Sequence, residues 1–447
     1  MAISSTRSHP DAGLRELLTE LYTVATAAVD PAPALATRLR ALQRAPGRRR
    51  WVLALGKAAI PMARAAVDTL AAWGEAPAGG VVVAPELHPA PHPALPVVAG
   101  DHPEPGPGSL AAADALGRAA AAVGPEDEVW VLLSGGASSL LAASVPGVTP
   151  EELTRLYALL LGSGLDITAM NRIRKRFSRW GGGRLARALA PARVLVFIVS
   201  DVIGDDLPSI GSGPCVPDPT TAAEVRRLLE SAGLWDRVPA GPRGVVTAAE
   251  SGKTAETPKP GDTAFARVTI ELIASNRLAL EAAAKRAAEL GLAPVMAETP
   301  LAGEASATGA SVAASLLQNC GPPEIPQPAA PSRCFIWGGE TTVTLGNEPP
   351  GLGGRCQELA LAAARALDGA GPGVALLAAG TDGRDGPTDA AGAIVDGSTW
   401  RTVAAAGRDP ARDLAAHDAY RALDAAGALL RVGLTGTNVM DVVIGVG

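Results

Sequence analysis

The sequence has few aromatic residues for its size. Among 447 residues there are 7 Trp, 3 Tyr and 4 Phe, while 47% of the residues are hydrophobic. Ala, Leu and Val must therefore form most of the core, and such small side chains favour helices packed closely on a sheet. The length is about three times the ~150 residues of a typical domain, so we expect two or three cores and exclude a single small module.

An excess of positive charge is also missing. The formal net charge is −6 and the sequence pI is about 5.5, so no overall field attracts a phosphate backbone or an anionic membrane. No apolar segment of membrane-spanning length occurs, and the N-terminus lacks a basic stretch followed by an apolar run. We therefore expect no nucleic-acid partner, no membrane association and no signal peptide.

The few cysteines and histidines exclude several kinds of site. Four cysteines form neither a C-x-x-C pair nor a dense disulfide framework, which favours a reducing compartment and a cytoplasmic location. The five histidines form no zinc set and no Ser-His-Asp constellation. His102 stands apart from the others, because its loop, Gly100-Asp101-His102-Pro103, could reach an active-site cleft.

Two nucleotide-binding fingerprints are absent as well. No G-x-G-x-x-G run occurs, so a Rossmann dinucleotide site has no support. The segment Ser251–Thr254 resembles the end of a Walker A loop, but Thr247 stands where its first glycine belongs and no strand precedes it.

Apolar runs alternate with Ala-rich helical stretches, a pattern typical of sheets covered by helices. The strongest strand predictions are 51–55, 80–84, 128–133, 194–199, 268–274, 334–337 and 374–379, with helices at 277–290 and 306–317. The fold class we expect is α/β: two α/β domains with mostly parallel sheets covered by helices and an active-site cleft between them. The predicted boundaries are a Rossmann-like N-terminal domain over 1–245, a linker over 246–265 and a C-terminal α/β domain over 266–447. The last strand belongs either to this second domain or to the first.

Small and polar clusters follow several predicted strands, at the edge where open α/β sheets bind ligands. Ser134-Gly135-Gly136 and the hydroxyls of Ser138 and Ser139 could present backbone N–H groups to an anion. Gly56-Lys57 places a cation at a helix start, where it opposes the helix dipole unless an anion compensates. Each cluster alone is equally compatible with an ordinary strand-to-helix turn.

Carboxylates and cations recur in the same kind of position. Asp201, Asp205 and Asp206 follow one strand, and the acidic loop 380–389 follows another. Such acids suit Mg²⁺, which takes one or two carboxylates together with water and phosphate, although capping and turn roles are also common. Gly353-Gly354-Arg355 opens a helix with a guanidinium that suits phosphate oxygens. The basic run Asn171–Arg176 is more often a solvated helix face.

Taken together and in this order, the motifs resemble the glycerate 2-kinase family, the two-domain type with a MOFRL-type C-terminal domain. The segments that carry the resemblance are Leu55–Ala58, Leu133–Ser138, Asn171–Lys175, Ser200–Asp205, Ser212–Pro214, Gly338–Thr341, Gly353–Arg355, Gly380–Ala390 and Thr435–Asn438. The resemblance implies transfer of a phosphoryl group from ATP, with Mg²⁺, to the 2-hydroxyl of D-glycerate, giving 2-phosphoglycerate. The implied partners are D-glycerate and ATP, and a homodimer is left open.

The resemblance also implies roles for individual residues. Expected in catalysis are Lys57, Arg355 and Asp201. Expected to bind substrate or ATP are Gly56, Ser134, Gly135, Gly136, Ala137, Ser138, Ser139, Asn171, Arg174, Lys175, Ser212, Gly213, Glu340, Gly353, Gly354, Thr381, Asp385, Thr437 and Asn438. Expected on the metal are Asp205, Asp382 and Asp389. The sequence departs from the family pattern at three positions. It has Cys356 where the family usually has Asn, Gly211 where the family usually has Ala, and Arg176 where the family often has His.

Two other functions compete with the kinase. One is an NAD(P)-dependent hydroxypyruvate reductase, which the missing glycine fingerprint disfavours. The other is a non-enzymatic protein that binds nucleotides or sugar acids. Such a protein would keep the glycine-rich loops but would need no pair of acids, so the presence of both acidic loops together with Lys57 and Arg355 favours an enzyme.

Overall fold

The computed structural model describes residues 12–45, 47–102, 104–319, 332–346 and 349–447. The strands are β1 (Arg50–Leu55), β2 (Gly79–Ala84), β3 (Val97–Ala99), β4 (Glu128–Leu133), β5 (Arg193–Val199), β6 (Val268–Ala274), β7 (Ala293–Met296), β8 (Arg333–Gly339), β9 (Ala375–Gly380), β10 (Gly392–Asp396), β11 (Leu429–Leu430) and β12 (Asp441–Val446).

The α-helices, in chain order, are α1 (Ala12–Ala28), α2 (Pro31–Arg40), α3 (Ala59–Ala72), α4 (Pro107–Ala121), α5 (Ala137–Leu140), α6 (Pro150–Leu161), α7 (Ile167–Phe177), α8 (Arg184–Leu189), α9 (Ala222–Ser231), α10 (Ala240–Glu250), α11 (Asn276–Glu289), α12 (Ala305–Asn319), α13 (Arg355–Ala366), α14 (Thr399–Ala405), α15 (Pro410–Ala415) and α16 (Ala419–Ala425). None of the helices described is both long enough and apolar enough to cross a membrane.

The chain divides into two compact units. The first unit is Pro31–Ile273, and the second combines residues 12–30 with Ala274–Gly447. The N-terminal helix α1 is therefore part of the second unit, where it packs against α11 and contacts β9 and β12.

The first unit is built on a six-stranded sheet in the order β3-β2-β1-β4-β5-β6, and the pairings among β1 to β5 are parallel. Every residue of β1 and β4 is buried, as expected for parallel strands that are covered on both faces. Side chains of α4, α5 and α8 form one core with this sheet. Helices α6, α7, α9 and α10 form a separate apolar cluster in the same unit.

The second unit has a mixed sheet in the order β11-β10-β9-β12-β8-β7. Only β7 and β8 pair in parallel, whereas the other four pairings are antiparallel. Residues of α12, α13 and α16 pack on this sheet in one core. The start of β12, Asp441, pairs with both Gly339 and Gly380, so the ends of two other strands meet there.

The prediction of two α/β domains is confirmed, and seven predicted strands and two predicted helices lie within a few residues of their observed bounds. The prediction of mostly parallel strands is wrong for the second sheet, where β12 runs antiparallel to β8 and β9, and β10 runs antiparallel to β9 and β11. Apolar runs indicate that a strand is buried and not in which direction it runs. Strand β6, assigned by sequence to the second domain, is the edge strand of the first sheet. Strand β12 lies inside the second sheet and does not return to the first.

The boundary expected from sequence also differs from the observed division. Residues 246–265 were expected to be a linker, but α10 continues to Glu250 and the segment after it is anchored by a hydrogen bond from Thr257 to Asp218. The sequence also predicts a surface loop over the proline-rich segment 321–332, and all of this segment but residue 332 lies outside the described residues.

Candidate active site

The candidate site of the first unit lies where the strand order reverses. From β1 the chain moves to β2 and β3 on one side, then returns to place β4 on the other side of β1. Crossovers that leave in opposite directions open a crevice at the carboxyl ends of the strands, and ligands of open α/β sheets bind there. Gly56-Lys57 follows β1 and Ser134-Gly135-Gly136 follows β4, so both predicted loops lie at this point.

Three hydrogen bonds lock the two loops together. The Lys57 N–H donates to Gly135 O at 2.9 Å, and the Ser134 N–H donates to Leu55 O at 2.9 Å. The Ala58 N–H donates to Ser134 Oγ at 3.0 Å. Ser134 is buried, so its hydroxyl serves the structure of the turn, while Lys57 is exposed at the start of α3. The loops thus hold an exposed cation beside a rigid glycine turn.

Asp201, which follows β5, reaches the same turn. A Cβ on Gly135 would overlap the Asp201 carboxylate, so this carboxylate lies directly against the glycine. Burial raises the pKa of Asp201, and the charge of Lys57 opposes that shift. A cation and a desolvated carboxylate therefore flank Gly135-Gly136.

The short helix α5 continues from this turn, beginning at Ala137. Ser139 Oγ donates to Gly136 O at 3.0 Å, and the hydroxyls of Ser138 and Ser212 are 2.8 Å apart. Ser212 and Asp205 have positive φ values of 64° and 54°, a conformation that non-glycine residues adopt at a cost and that clusters at functional sites. Gly213, also at positive φ, ends this segment.

The predicted residues on α7 make other contacts. Lys175 is buried and forms an ion pair with Asp218 at 3.2 Å. The Arg174 guanidinium stacks over Tyr157 at 5.0 Å, and Asn171 is half-buried on the same helix. Lys175 and Arg174 are thus held by Asp218 and Tyr157 rather than by the glycine turn, and removal of Asp218 would leave the Lys175 charge buried without its partner.

The second unit carries the other predicted catalytic cation at the start of α13. Gly353 and Gly354 lead into this helix, and Gly354 is its N-cap. Arg355 Nε and Nη2 donate to Asp441 Oδ2 and Oδ1 at 2.6 and 2.8 Å, and Nη2 lies 3.1 Å from Glu340. Burial lowers the pKa of Arg355, but the Asp441 carboxylate raises it by more. The guanidinium is fixed, charged and one-third exposed, with 32% of its side chain accessible.

Asp385, expected to bind substrate, caps α13 instead. Its carboxylate accepts the N–H groups of Cys356 at 3.2 Å and Gln357 at 2.8 Å. It satisfies two of the donors that a helix start leaves free. Burial raises the pKa of Asp385 to about 7, although the N–H group of Gln357 opposes this rise. Cys356 is itself buried between Asp385 and Asp441, and burial raises the pKa of its thiol.

Side-chain hydrogen bonds hold the loop after β9 and the segment before β12. Thr381 Oγ1 donates to Met440 O at 2.6 Å, and Asn438 Oδ1 accepts the Met440 N–H at 3.1 Å. Thr437 Oγ1 donates to Val29 O at 2.8 Å. Thr381, Thr437 and Asn438 therefore shape the loop, and none of these contacts leaves the second unit.

The predicted metal ligands have different surroundings. Asp382 is half-buried, and its Oδ1 accepts the Arg384 N–H at 3.0 Å. Asp389 is exposed and engaged by Arg431 and by the hydroxyl of Tyr420. Among the described residues, no three His, Cys, Asp or Glu side chains come together as a metal site.

Sequence reasoning missed two residues of the second unit. Asp441 stands three residues after the Thr435–Asn438 motif, at the start of an apolar strand, so an acid in this position was a usable clue. Tyr22 gave no local clue: its hydroxyl donates to Gly380 O at 2.6 Å across 358 residues of sequence, and only the fold brings α1 there.

Comparison with protein-family models gives two matches. A family described as a domain of unknown function, DUF4147, matches residues 17–246, and the MOFRL family matches residues 333–441.

Similar proteins span nearly the same length. A D-glycerate 2-kinase of Thermotoga maritima is 40% identical over 401 residues, covering 88% of this chain and 89% of that protein. A protein of Agrobacterium vitis, named provisionally as a hydroxypyruvate reductase, is 38% identical over 97% of this chain and 94% of its own. The crystal structure of a glycerate kinase from Thermotoga maritima superposes with a TM-score of 0.86 at 37% identity, covering 97% of this chain and 99% of that one.

Proposed function

Because this chain belongs to the glycerate kinase family, we propose that it transfers the γ-phosphoryl group of ATP to the 2-hydroxyl of D-glycerate, giving 2-phosphoglycerate. The observation that carries the proposal is the position of Lys57. It stands at the topological switch point of the first sheet, on a backbone locked to the glycine turn 134–136. Enzymes that transfer phosphoryl groups act mainly by positioning and by neutralising charge, and this turn supplies both.

Lys57 is suited to bind an anion because its side chain is exposed while its backbone is fixed. An exposed lysine at a helix start is electrostatically unfavourable unless an anion lies nearby. Both substrates are anionic, through the glycerate carboxylate and the ATP phosphates. Asp201, desolvated beside the turn, is suited to orient the acceptor hydroxyl.

Arg355 offers a second, independently fixed cation. Its bond to Asp441 sets the direction of the guanidinium, and one-third of the side chain remains accessible to an anion. An arginine that stabilises the transferring phosphoryl group contributes about 10³-fold or more to kcat. Glu340 restrains the same guanidinium from another side.

Mg²⁺ is part of this proposal, and Asp382 is the aspartate best suited to bind the ion. Mg²⁺ needs only one or two carboxylates when nucleotide phosphates complete its coordination, so a site without three acids is no obstacle. Asp382 is half-buried, and its Oδ1 accepts the Arg384 N–H. Asp205, on its strained loop, is the candidate in the first unit. Asp389 does not fit, because Arg431 and Tyr420 already hold its carboxylate. The bound ion would neutralise phosphate charge.

A reductase is the second candidate, because a relative of similar length carries that name. The turn after β1 reads Gly56-Lys57-Ala58, without the glycine triplet that lets a pyrophosphate approach a Rossmann helix. We therefore rank it below the kinase. The cytoplasmic location, the homodimer and the lack of nucleic-acid partners stay predictions.

The test is an ATP-dependent assay with Mg²⁺ and D-glycerate, in which 2- and 3-phosphoglycerate are separated. We expect 2-phosphoglycerate from D-glycerate and none from L-glycerate. Lys57→Met should lower kcat severely, whereas the control Lys285→Met, an exposed lysine on α11, should leave it unchanged. Oxidation of NADH or NADPH with hydroxypyruvate, without ADP formation, would assign the reductase instead.

A further inference from the structure

Among the histidines that the structure describes, His102 is the one that lies against the glycine turn of the first unit. An ideal Cβ on Gly136 would lie 3.1 Å from His102 Cδ2, 3.2 Å from its Nε2 and 3.3 Å from Lys57 Cγ. The imidazole edge and the lysine stem therefore lie together over Gly136, on the side where a side chain is missing.

The backbone that presents His102 is fixed. The Gly100 N–H donates to Ala84 O at 3.0 Å, at the end of β2. Asp101 is tied to Ser109 in the first turn of α4: its Oδ2 accepts the Ser109 N–H at 3.0 Å, and its N–H donates to Ser109 Oγ at 3.1 Å. His102 follows these anchors directly, so its approach to Gly136 is set by two elements of the core.

Burial and the charge of Lys57 both favour the neutral form of the imidazole. Burial lowers the pKa of His102, Lys57 lowers it further, and Asp201 on the far side of the turn opposes the shift. Asp101, its neighbour in sequence, is engaged by α4. A neutral imidazole has one ring nitrogen that can accept a proton.

We propose, on the basis of the function proposed above, that His102 is a catalytic residue that binds the acceptor hydroxyl through Nε2 and takes up its proton. As the bond from the acceptor oxygen to the γ-phosphorus forms, the bond from that phosphorus to the β–γ bridging oxygen breaks. The electron pair of the broken bond leaves with ADP, and the hydroxyl proton moves to Nε2. Lys57 holds an anionic group of the same substrate, and Asp201 orients the hydroxyl.

This assignment gives His102 a role distinct from that of Asp201. The Asp201 carboxylate is packed against Gly135, whereas His102 lies on the Gly136 side with Lys57. On this assignment the acceptor hydroxyl contacts a carboxylate beside Gly135 and an imidazole beside Gly136.

The experiment measures kcat and KM against pH for the full chain and for His102→Gln. Positioned general bases contribute about 10² to 10⁴-fold, so we expect kcat to fall by at least 10²-fold, with KM for ATP changed by less than about threefold. The acid limb of the kcat/KM profile should disappear. His88→Gln, an exposed histidine in the loop after β2, is the matched control and should retain the activity and profile of the parent protein.

A second variant separates chemistry from folding. His102→Ala should regain part of its activity when imidazole is added, which a merely structural role would not allow. The proposal is overturned if His102→Gln keeps kcat within threefold, if its acid limb persists, or if only Asp201→Asn removes that limb. If the parent protein forms no ADP with D-glycerate, the proposed function fails first and this assignment falls with it.

Discussion

The hydrogen bonds between Asp441 and Arg355 allow a sharp test of the second unit. Asp441→Asn keeps the shape of the side chain but replaces one accepting oxygen with an NH₂ group that faces the guanidinium. The carboxylate is almost fully buried, with 6% of its side chain accessible, so water cannot take over the lost interaction. We expect a lower kcat together with a lower free energy of unfolding.

The magnitudes follow from the geometry. One of two charge-assisted hydrogen bonds, at 2.6 and 2.8 Å, is lost, and such bonds are worth about 1.5–3 kcal/mol. A shift of ~1 Å in a positioned group costs about 10²-fold in rate. Asp441→Asn should therefore unfold about 2 kcal/mol more easily and turn over about 10²-fold more slowly, with KM values changed little.

The same unit contains a matched control. Arg408 Nε and Nη2 bind Asp413 at 2.7 and 2.8 Å, and a second acid, Asp418, lies 2.8 Å from Nη2, much as Glu340 lies near Arg355. The side chains of Arg408 and Asp413 are 27% and 12% accessible. Asp413→Asn should thus lose similar stability while kcat stays within about twofold of the parent protein.

The assay pairs steady-state ADP formation with urea unfolding of both variants. Equal losses of kcat in the two variants would mean that activity follows stability alone. An unchanged kcat in Asp441→Asn would mean that the direction of the Arg355 guanidinium is unimportant. Either result refutes the catalytic role argued for this pair.

Three further predictions concern single residues. Gly135→Ala should lower kcat at least tenfold with little change in Tm, because the new Cβ displaces the Asp201 carboxylate; kinetics and thermal unfolding check this. Tyr22→Phe should cost about 1–3 kcal/mol in urea unfolding, since the buried Gly380 carbonyl loses its donor. The folded pKa of Asp385, about 7, lies above the ordinary value of 3.8 for an aspartate. Its contribution to stability is therefore present at low pH and lost as pH rises from about 4 to 7. Asp385→Asn should flatten that part of the stability–pH curve.

Controls for these variants lie in the same chain. Gly244→Ala, on α10 with no atom near its new methyl group, should leave activity unchanged. Tyr157→Phe, whose ring would still stack with Arg174, should unfold within about 0.5 kcal/mol of the parent protein. Each argument would be contradicted by a different result. These results are a large loss of kcat in Gly244→Ala, an unchanged free energy of unfolding in Tyr22→Phe, and an unchanged dependence of stability on pH in Asp385→Asn.

Much of the first sheet could be predicted from the sequence because its signals are local. A buried parallel strand is a continuous apolar run, and the polar or glycine cluster after it marks the carboxyl end. Lys57 and the Ser134–Gly136 turn were predicted in this way, and the structure places them together at the switch point. The family resemblance rested on the same clusters, and the comparisons confirm it.

Other parts of the candidate site were less predictable because their decisive contacts span long sequence separations. Asp385 lies in an acidic, glycine-rich loop of the kind that often binds ligands. Its carboxylate nevertheless accepts N–H groups at the start of α13, and it therefore caps this helix. Lys175 sits in a basic run, but Asp218, 43 residues away, withdraws it into the core. The strand directions of the second sheet could not be read from apolar runs, because hydrophobicity reports burial and not direction.

The sequence by itself determined the α/β class, the strands of the first sheet, the family and the two cations, Lys57 and Arg355, since each depends on residues adjacent in the chain. The tertiary structure alone decided which unit α1 joins, which acid holds Arg355 and that His102 lies beside Lys57. Those contacts join residues tens to hundreds of positions apart, and no local periodicity or propensity carries information about partners that meet only when the chain has folded.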